Sequence, residues 1–225
     1  GVANHRSIAW SIAQILHDAG ARLAVAYQNE RVRDTVSKLV EPWGDAVLVE
    51  CDVSEDENVD KAYDQIGNEM DSLDFIVHSI AYADRNDLGG PFMNTGREGF
   101  RMALDVSAYS LIPIARHGIP LMESDGGTIL AMTFQASERV FPGYNVMGTA
   151  KAALENEVRQ LASDLGERNV RVNAISAGPL NTLAARGIKG FTDMRKVFEA
   201  RSALKRNITH DEVGKTALFL GSDLG

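Results

Sequence analysis

Two hydrophobic spacings alternate along the 225-residue chain. Short apolar runs lie at 22–27, 45–52, 73–79, 128–133 and 170–176, and between them apolar residues recur at every third or fourth position. A short apolar run indicates a buried strand, and the wider spacing indicates an amphipathic helix. Strands that alternate with helices of about 10–15 residues form parallel βαβ units. The pattern therefore predicts an α/β fold with a doubly wound, Rossmann-like parallel sheet in three α-β-α layers.

The same pattern predicts where the helices lie. Helices are expected at 8–19, 30–39 and 57–70, from about Phe100 to Met122, from Tyr144 to about Leu165, and after Thr209. Thr209 and Glu212 form a capping box before the last of them. Since no repeat, low-complexity segment or linker interrupts the chain, we expect residues 1–225 to form one domain. Residues 180–203 are expected to form a loop with helical pieces, and the segment at about 180–206 is expected to be a substrate loop.

Composition and charge narrow the classes of function. A formal net charge of −8 argues against a nucleic-acid binder, because no general basic field would attract phosphates. The single cysteine, Cys51, excludes an internal disulfide and a cysteine-based zinc site, and it fits a reducing compartment such as the cytoplasm. The five histidines show no metal-ligand spacing, so no metal site is predicted. No apolar run approaches the ~20 residues that span a membrane, so no membrane insertion is expected.

The stretch from Tyr144 to Lys151 carries the clearest candidate chemistry. Seven helical steps of about 100° fall roughly 20° short of two turns, so a helix here would place both side chains on one face. An ammonium beside a phenol favours the phenolate, and we therefore expect the pKa of Tyr144 to be lowered. An ordinary amphipathic helix with a tyrosine and a lysine on its surface remains the alternative interpretation.

Polar residues follow three of the predicted strands, where open parallel sheets bind ligands. Gln28, Asp52 and Ser79 stand at these strand ends. A neutral amide at Gln28 suits the 2′-hydroxyl of an adenosine ribose and does not neutralise a 2′-phosphate, which favours NADH over NADPH. Two nearby arginines, Arg31 and Arg33, keep NADPH open as the less favoured cofactor.

A glycine before the first helix adds a candidate phosphate turn. The N–H groups at the start of the helix that follows Gly1 would face a pyrophosphate. The usual G-x-G-x-x-G pattern is absent, because only one glycine stands here. For this glycine alone, a simple turn before a helix is the more common interpretation.

Taken together, these residues resemble a known family. The shared strings are Gly1 with Ser7-Ile8-Ala9, Cys51-Asp52-Val53, His78-Ser79-Ile80-Ala81, Val106-Ser-Ala-Tyr-Ser110, Tyr144-Asn-Val-Met-Gly with Lys151, and Val172-Asn-Ala-Ile-Ser-Ala-Gly-Pro179. They resemble the short-chain dehydrogenase/reductase superfamily over essentially the whole chain. Within it, the Tyr-x6-Lys spacing is similar to that of bacterial NADH-dependent enoyl-(acyl carrier protein) reductases, whereas other members use Tyr-x3-Lys.

The resemblance implies an activity and a set of site residues. It implies reduction of trans-2-enoyl thioesters of acyl carrier protein in type II fatty acid synthesis, by a cytoplasmic homotetramer that uses NAD(H). Tyr144 would be the catalytic tyrosine, and Lys151 would hold the cofactor ribose. Ala83 and Tyr144 would contact the substrate. The implied cofactor-binding residues are Gly1, Ser7, Ile8, Gln28, Asp52, Val53, Ser79, Ile80, Lys151, Leu180, Asn181, Thr182, Leu183 and Ala184.

The chain departs from the family pattern at two positions and at its ends. Phe134 stands where the family often has a second tyrosine, so any second phenolic role is lost there. Asn181 stands where many members have arginine. The family has a strand before Gly1 and another after Gly225, and we therefore expect both ends to be clipped.

One charged segment stands out from the acidic background. Residues 182–206 carry seven basic and two acidic side chains, a net charge of +5, while the other residues carry −13. The basic residues are Arg186, Lys189, Arg195, Lys196, Arg201, Lys205 and Arg206. This segment is either a solvated helix face or a docking patch for an acidic acyl carrier protein.

Two other functions remain open at this point. A short-chain carbonyl reductase or alcohol dehydrogenase would be expected to show Tyr-x3-Lys and a serine about 13 residues before the tyrosine, where Ala131 stands. A dinucleotide-sensing module without catalysis would explain Phe134.

Overall fold

The computed structural model describes residues 1–122, 126–188 and 190–225. In this part of the chain the strands are β1 (Ala24–Tyr27), β2 (Val47–Glu50), β3 (Phe75–His78), β4 (Gly127–Thr133) and β5 (Val170–Ser176). The helices are α1 (Ile8–Asp18), α2 (Glu30–Val40), α3 (Asp56–Glu69), α4 (Arg97–Leu104), α5 (Leu111–Gly118), α6 (Val146–Leu165), α7 (Phe191–Arg201) and α8 (His210–Gly221). The predicted alternation of strands and helices is confirmed, with bounds that differ by a few residues.

Every strand pair in the described residues is parallel. β1 pairs with β2, and β3, β4 and β5 form a second group in that order. In the second group Ile76 lies opposite Ile129, and Leu130 lies opposite Asn173. Because the strands run in the same direction, the carboxyl ends of β3, β4 and β5 lie along one edge, where the candidate residues follow.

Helices cover both faces of the strands and bury two apolar clusters. Ile129 and Leu130 are fully buried neighbours on β4 that belong to different clusters, as the two-residue period of a strand requires. Leu130 packs in the cluster that includes α1, α2 and α8. Ile129 packs in the cluster that includes α5 and α6. The three-layer arrangement follows from this alternation.

The prediction of one continuous helix from about Phe100 to Met122 is wrong. A wide π-type turn over Asp105–Tyr109 separates α4 from α5. Pro113, at the third position of α5, has no N–H to continue the regular helical hydrogen bonds. The wide turn directs the Ser107 and Ser110 side chains into the interior, where both residues are completely buried. Such turns are frequent at functional sites.

The helix predicted to begin at Tyr144 begins instead at Val146. Asn145 has a φ of 41°, which few non-glycine residues adopt and which asparagine tolerates better than most. Its side-chain nitrogen donates to the carbonyl of Gly89 at 2.8 Å, and this bond holds the turn against the 84–95 loop. The prediction that Tyr144 and Lys151 share a helical face is therefore wrong, because Tyr144 lies in the turn before α6.

The capping box predicted before the last helix is confirmed. The Glu212 backbone N–H donates to the Thr209 hydroxyl at 3.2 Å, and the Thr209 N–H donates to the Glu212 carboxylate at 2.9 Å. Within the described residues, no helix has the length and apolar character needed to cross a membrane. The same residues contain no cluster of three or more histidine, cysteine or acidic side chains suited to a metal ion.

The packing of α8 on α1 yields a stability prediction with an internal control. A Cβ at Gly214 would lie 2.7 Å from the Ile15 side chain and 2.9 Å from the Ser11 carbonyl, whereas a Cβ at Gly221 would meet nothing within 4 Å. We expect Gly214→Ala to lower the free energy of unfolding by about 1–3 kcal/mol through overpacking. Gly221→Ala should leave it unchanged or raise it by up to ~1 kcal/mol. Urea titrations of both variants test the contact, and equal effects would contradict it.

Candidate active site

One large cavity opens at the carboxyl ends of the strands. Its volume is about 1490 Å³, more than a single ligand pocket usually has. Part of it runs between β1 and β3, where apolar side chains such as Leu16, Val25 and Val77 line it. We assign only the mouth of the cavity, at the strand ends, to the candidate site.

Most of the residues predicted from the sequence meet in this cavity. Its lining includes Gly1, Ser7, Ile8, Gln28, Asp52, Val53, Ser79, Ile80, Ala83, Phe134, Tyr144, Lys151, Thr182, Leu183 and Ala184. Two predicted cofactor residues are missing from the lining. Leu180 is buried in the apolar cluster with α1 and α8, and Asn181 is exposed. Their predicted contact with a cofactor stays a prediction.

Tyr144 is a protonated phenol in an apolar setting. Its ring lies edge-on to Phe134, with 5.3 Å between the ring centroids. Burial raises the pKa of Tyr144 to about 12. The predicted lowering of this pKa by Lys151 is therefore wrong in direction, because loss of water around the phenol dominates. At neutral pH the hydroxyl group can donate a hydrogen bond but cannot act as a base.

Lys151 carries a buried ammonium group that does not use all of its hydrogen-bond donors within the described residues. The residue is 5% exposed, and its Nζ donates to the carbonyl of Met132 at 2.7 Å. Burial lowers the pKa of Lys151 to about 8, against an opposing effect of Glu155. An ammonium has three donors, and the Met132 carbonyl is its one acceptor among the described residues. The remaining N–H groups are available to a ligand in the cavity.

At another end of the cavity, a hydrogen bond joins the Gln28 and Asp52 side chains. Gln28 Nε2 donates to Asp52 Oδ2 at 3.2 Å, and Ser54 donates to Asp52 Oδ1 through its backbone and its hydroxyl at 3.1 and 2.8 Å. Although burial opposes the effect, the hydrogen bonds from Ser54 and Gln28 lower the pKa of Asp52. Next to this carboxylate, Val53 is buried and supplies an apolar wall.

A close backbone approach shapes the cavity at the start of α1. A Cβ at Gly1 would lie 3.2 Å from the Ser79 carbonyl, so a larger residue there would press on the end of β3. The Ser7 hydroxyl accepts from the N–H groups of Ala3 and Asn4 at 3.1 and 3.2 Å. These bonds fold the residues before α1 into a loop beside the cavity.

Two buried serines of the π-type turn fix the end of β3. The Ser107 hydroxyl accepts from the Tyr82 N–H at 2.9 Å and lies 3.0 Å from the Tyr82 carbonyl. Ser110 lies 2.8 Å from His78 Nε2, and burial lowers the pKa of His78 to about 3. Through Tyr82 these contacts position Ala83, the predicted substrate residue.

The sequence reasoning missed an apolar wall of the cavity. Met147, Ile188, Phe191 and Met194 line it together with Tyr144. The signal was present, because large apolar residues interrupt the basic segment at 182–206.

An aromatic cluster, Phe134, Phe141 and Phe198, joins α7 to the site. Phe198 lies 5.9 Å from Phe141 and 6.3 Å from Phe134, measured between ring centroids. Phe134 and Phe141 are 4.8 Å apart. Since every residue of α7 is at least partly exposed, this cluster is a main apolar attachment of the helix.

Comparison with known proteins relates this geometry to one family. A family model described as enoyl-(acyl carrier protein) reductase matches residues 1–225. The chain is 46% identical over 227 residues to the NADH enzyme FabI of Nostoc sp., covering 100% of this chain and 88% of that protein. It is 48% identical over 226 residues to the NADPH enzyme FabI of Staphylococcus aureus, with coverage of 100% and 88%. The solved structure of the Aquifex aeolicus enoyl-(acyl carrier protein) reductase (NADH) superposes with a TM-score of 0.96 at 45% identity, covering 99% of this chain and 87% of that one. This superposition confirms the fold class predicted from the hydrophobic pattern.

The aromatic cluster predicts how firmly α7 is held. Phe198→Ala removes the ring that packs on Phe134 and Phe141, a loss of about 0.5–1.5 kcal/mol beyond the buried area. We expect trypsin to cleave α7, at Arg195 or Arg201, roughly two- to tenfold faster than in the parent chain. The matched control is Val197→Ala, because Val197 is the neighbouring residue on α7 and is 48% exposed. Equal cleavage rates in the two variants would contradict an anchoring role for Phe198.

Proposed function

The chain belongs to the enoyl-(acyl carrier protein) reductase family, and we propose that it catalyses NADH-dependent reduction of trans-2-enoyl thioesters of acyl carrier protein to saturated acyl thioesters in bacterial type II fatty acid synthesis. One observation carries this proposal for the site. A protonated phenol, Tyr144, and a buried ammonium, Lys151, line the same cavity at the carboxyl ends of the strands.

The lining residues fit an extended dinucleotide. Gln28, Asp52 and Val53 would hold the adenosine part, and the loop from Gly1 to Ser7 at the start of α1 would face the phosphates. Lys151 would bind the hydroxyl groups of the nicotinamide ribose with the N–H groups that Met132 leaves free. When bound, NADH supplies a hydride to the β-carbon of the enoyl group.

We further propose that NADH is preferred over NADPH. The Gln28 amide carries no charge to neutralise a 2′-phosphate, and the Asp52 carboxylate bonded to it would repel one. Of the two arginines nearby, Arg33 pairs with Glu30 at 3.5 Å. Enzymes named for either cofactor occur among the relatives, so the support for NADH comes from these side chains.

Tyr144 acts on the substrate as a hydrogen-bond donor. As hydride reaches the β-carbon, negative charge gathers on the thioester oxygen, and a preorganised donor stabilises it. A proton from solvent then completes the reduction at the α-carbon. A phenol with a pKa of about 12 keeps its proton for this role throughout the neutral range. Phe134 cannot donate and instead packs its ring against Tyr144. Ala83, Met147 and the apolar residues of 188–194 would contact the acyl chain.

Two substitutions test the assigned roles. Tyr144→Phe should lower kcat about 100-fold or more, as for loss of one oxyanion donor, while the Kd for NADH changes less than about threefold. Lys151→Ala should raise the Kd for NADH at least about tenfold, because hydrogen bonds from a charged group are lost. NADH oxidation and NADH fluorescence titration measure the two effects. Lys38→Ala, at an exposed residue of α2, is the control.

The outcomes separate the competing functions. The assay uses a crotonyl thioester and, separately, a 3-ketoacyl thioester, each with NADH and with NADPH. Turnover of the 3-ketoacyl thioester alone would indicate a carbonyl reductase. Binding of NADH without turnover of either would indicate a sensing module. Unchanged turnover in Tyr144→Phe would contradict the role of the tyrosine.

The basic segment is proposed as the docking site for acyl carrier protein. Lys196, Arg201, Lys205 and Arg206 are exposed on α7 and the residues after it, next to the apolar wall of the cavity. Lys189 lies outside the residues that the structure describes. Arg206 is held by Glu212, and Lys196 lies 3.6 Å from Asp193. Arg201 and Lys205 form no ion pair among the described residues, but Lys205 Nζ donates to the Ala200 carbonyl at 2.8 Å. Arg201 is thus the cation best placed to meet an acidic partner.

Charge reversal tests this docking site. Lys196→Glu combined with Arg201→Glu should raise KM for an enoyl-(acyl carrier protein) about tenfold by removing electrostatic attraction. KM for crotonyl N-acetylcysteamine, a thioester without phosphates, should change less than about twofold. The control reverses Lys38 and Lys61, which are exposed on α2 and α3. A similar loss with both thioesters, or in the control, would reject the docking site.

The remaining family features are also proposals for this chain. We treat residues 1–225 as one reductase domain with 180–206 as its substrate loop, and the packing of α8 on α1 supports this by joining the two ends of the chain. The homotetramer and the cytoplasmic location stay predictions from the family.

A further inference from the structure

Two hydrogen bonds tie α6 to the carboxyl end of β4. Lys151 Nζ donates to the Met132 carbonyl at 2.7 Å, and Thr133 Oγ1 donates to Glu155 Oε1 at 2.6 Å. Met132 and Thr133 are consecutive on β4. Lys151 and Glu155 are four positions apart on α6 and therefore lie on the same side of the helix. The lysine and the carboxylate are thus held by neighbouring points of one strand.

The Glu155 side chain is held outside the lining of the cavity. Thr133 is 7% exposed and lines the cavity, whereas Glu155 is half-buried and does not line it. The Thr133 hydroxyl can donate only one proton, and Glu155 receives it. The carboxylate therefore stays behind Lys151 and leaves the cavity side of the ammonium to a ligand.

Glu155 is the charge that acts on Lys151 from this side. Of the other titratable groups nearby, His78 on β3 interacts electrostatically with Lys151, and the Tyr144 phenol lines the same cavity. His78 has a pKa of about 3 and Tyr144 one of about 12, so both are neutral between pH 6 and 9. Burial of Lys151 disfavours its charged form, and Glu155 opposes that effect across space.

We propose that Glu155, anchored by Thr133, is a positioning residue that keeps the Lys151 ammonium charged and directed toward the cofactor ribose. This inference rests on the proposed function, because it assigns Glu155 a role through Lys151. The carboxylate contacts neither the substrate nor the cofactor. Its effect should therefore appear in NADH binding and in its pH dependence.

Glu155→Gln is the decisive variant, because an amide oxygen can still accept from Thr133 while the charge is lost. The pKa of Lys151, followed by NMR of 13Cε-labelled lysine in the ligand-free chain, should fall by roughly 0.5–1 unit. The sign follows because removal of an anion destabilises the ammonium. At pH 8 the Kd for NADH should rise about two- to fivefold, and the basic limb of kcat/KM for NADH should move to lower pH. At pH 6.5 the Kd should stay within about twofold of the parent value.

Three further variants separate positioning from simple stability. Glu155→Asp keeps the charge and should restore most of the pH profile. Thr133→Val removes the anchor and should weaken NADH binding, and Thr133→Ser should restore it. Glu167→Gln makes the same chemical change at an exposed residue just after α6 and should have no effect. In a Lys151→Arg background, whose guanidinium stays charged, Glu155→Gln should leave the pH dependence of NADH binding unchanged.

The result that overturns the proposal is specific. It fails if Glu155→Gln leaves both the Lys151 titration and the pH dependence of NADH binding at their parent values, even if the melting temperature falls. If Glu155→Gln does not fold, Glu155→Asp and the Thr133 pair decide the question by the same two measurements. The lysine titration needs no turnover, so its outcome is independent of whether the parent chain reduces enoyl thioesters.

Discussion

The buried ammonium of Lys151 is the constraint on which the rest of the site depends. The residue is 5% exposed, and burial of its charge is costly unless polar groups compensate for the lost water. The Met132 carbonyl accepts a hydrogen bond from the ammonium, and the Glu155 carboxylate favours its charged form across space. That arrangement requires α6 to approach the end of β4 closely. Just beyond β4, a Cβ at Gly148 would lie 2.8 Å from the Ala136 carbonyl, so glycine at this position lets the turn at 135–137 lie against α6.

Tyr144 is held by different contacts, namely the turn at Asn145 and aromatic packing. It lies outside α6, in a turn that Asn145 ties to the 84–95 loop, and its ring packs on Phe134. Phe134 in turn contacts Phe198 of α7. The lysine is therefore fixed by a hydrogen bond to a central strand, while the tyrosine shares its surroundings with a partly exposed helix. This division suits a site in which the cofactor is held firmly and the acyl chain enters past α7.

The two regions of the cavity also differ in charge. Around Gln28 a satisfied carboxylate, Asp52, disfavours an additional phosphate. Around α7 exposed cations surround an apolar wall, which suits an acyl chain delivered by an acidic carrier. The overall charge of −8 conceals this difference, because the basic segment is small relative to the acidic remainder.

The sequence by itself determined the parallel α/β architecture, the capping box at Thr209 and most of the residues that meet in the cavity, because strand periodicity and the direction of parallel strands are local properties. Only the tertiary structure decided how Tyr144 and Lys151 meet. A positive φ at Asn145 breaks the helix that the spacing predicted, and burial raises the pKa of the phenol that the nearby ammonium was expected to lower. It also decided that Leu180 lies in the core and that Glu155 lies behind Lys151. Burial and contacts between distant segments set these features, and no spacing along the chain encodes them.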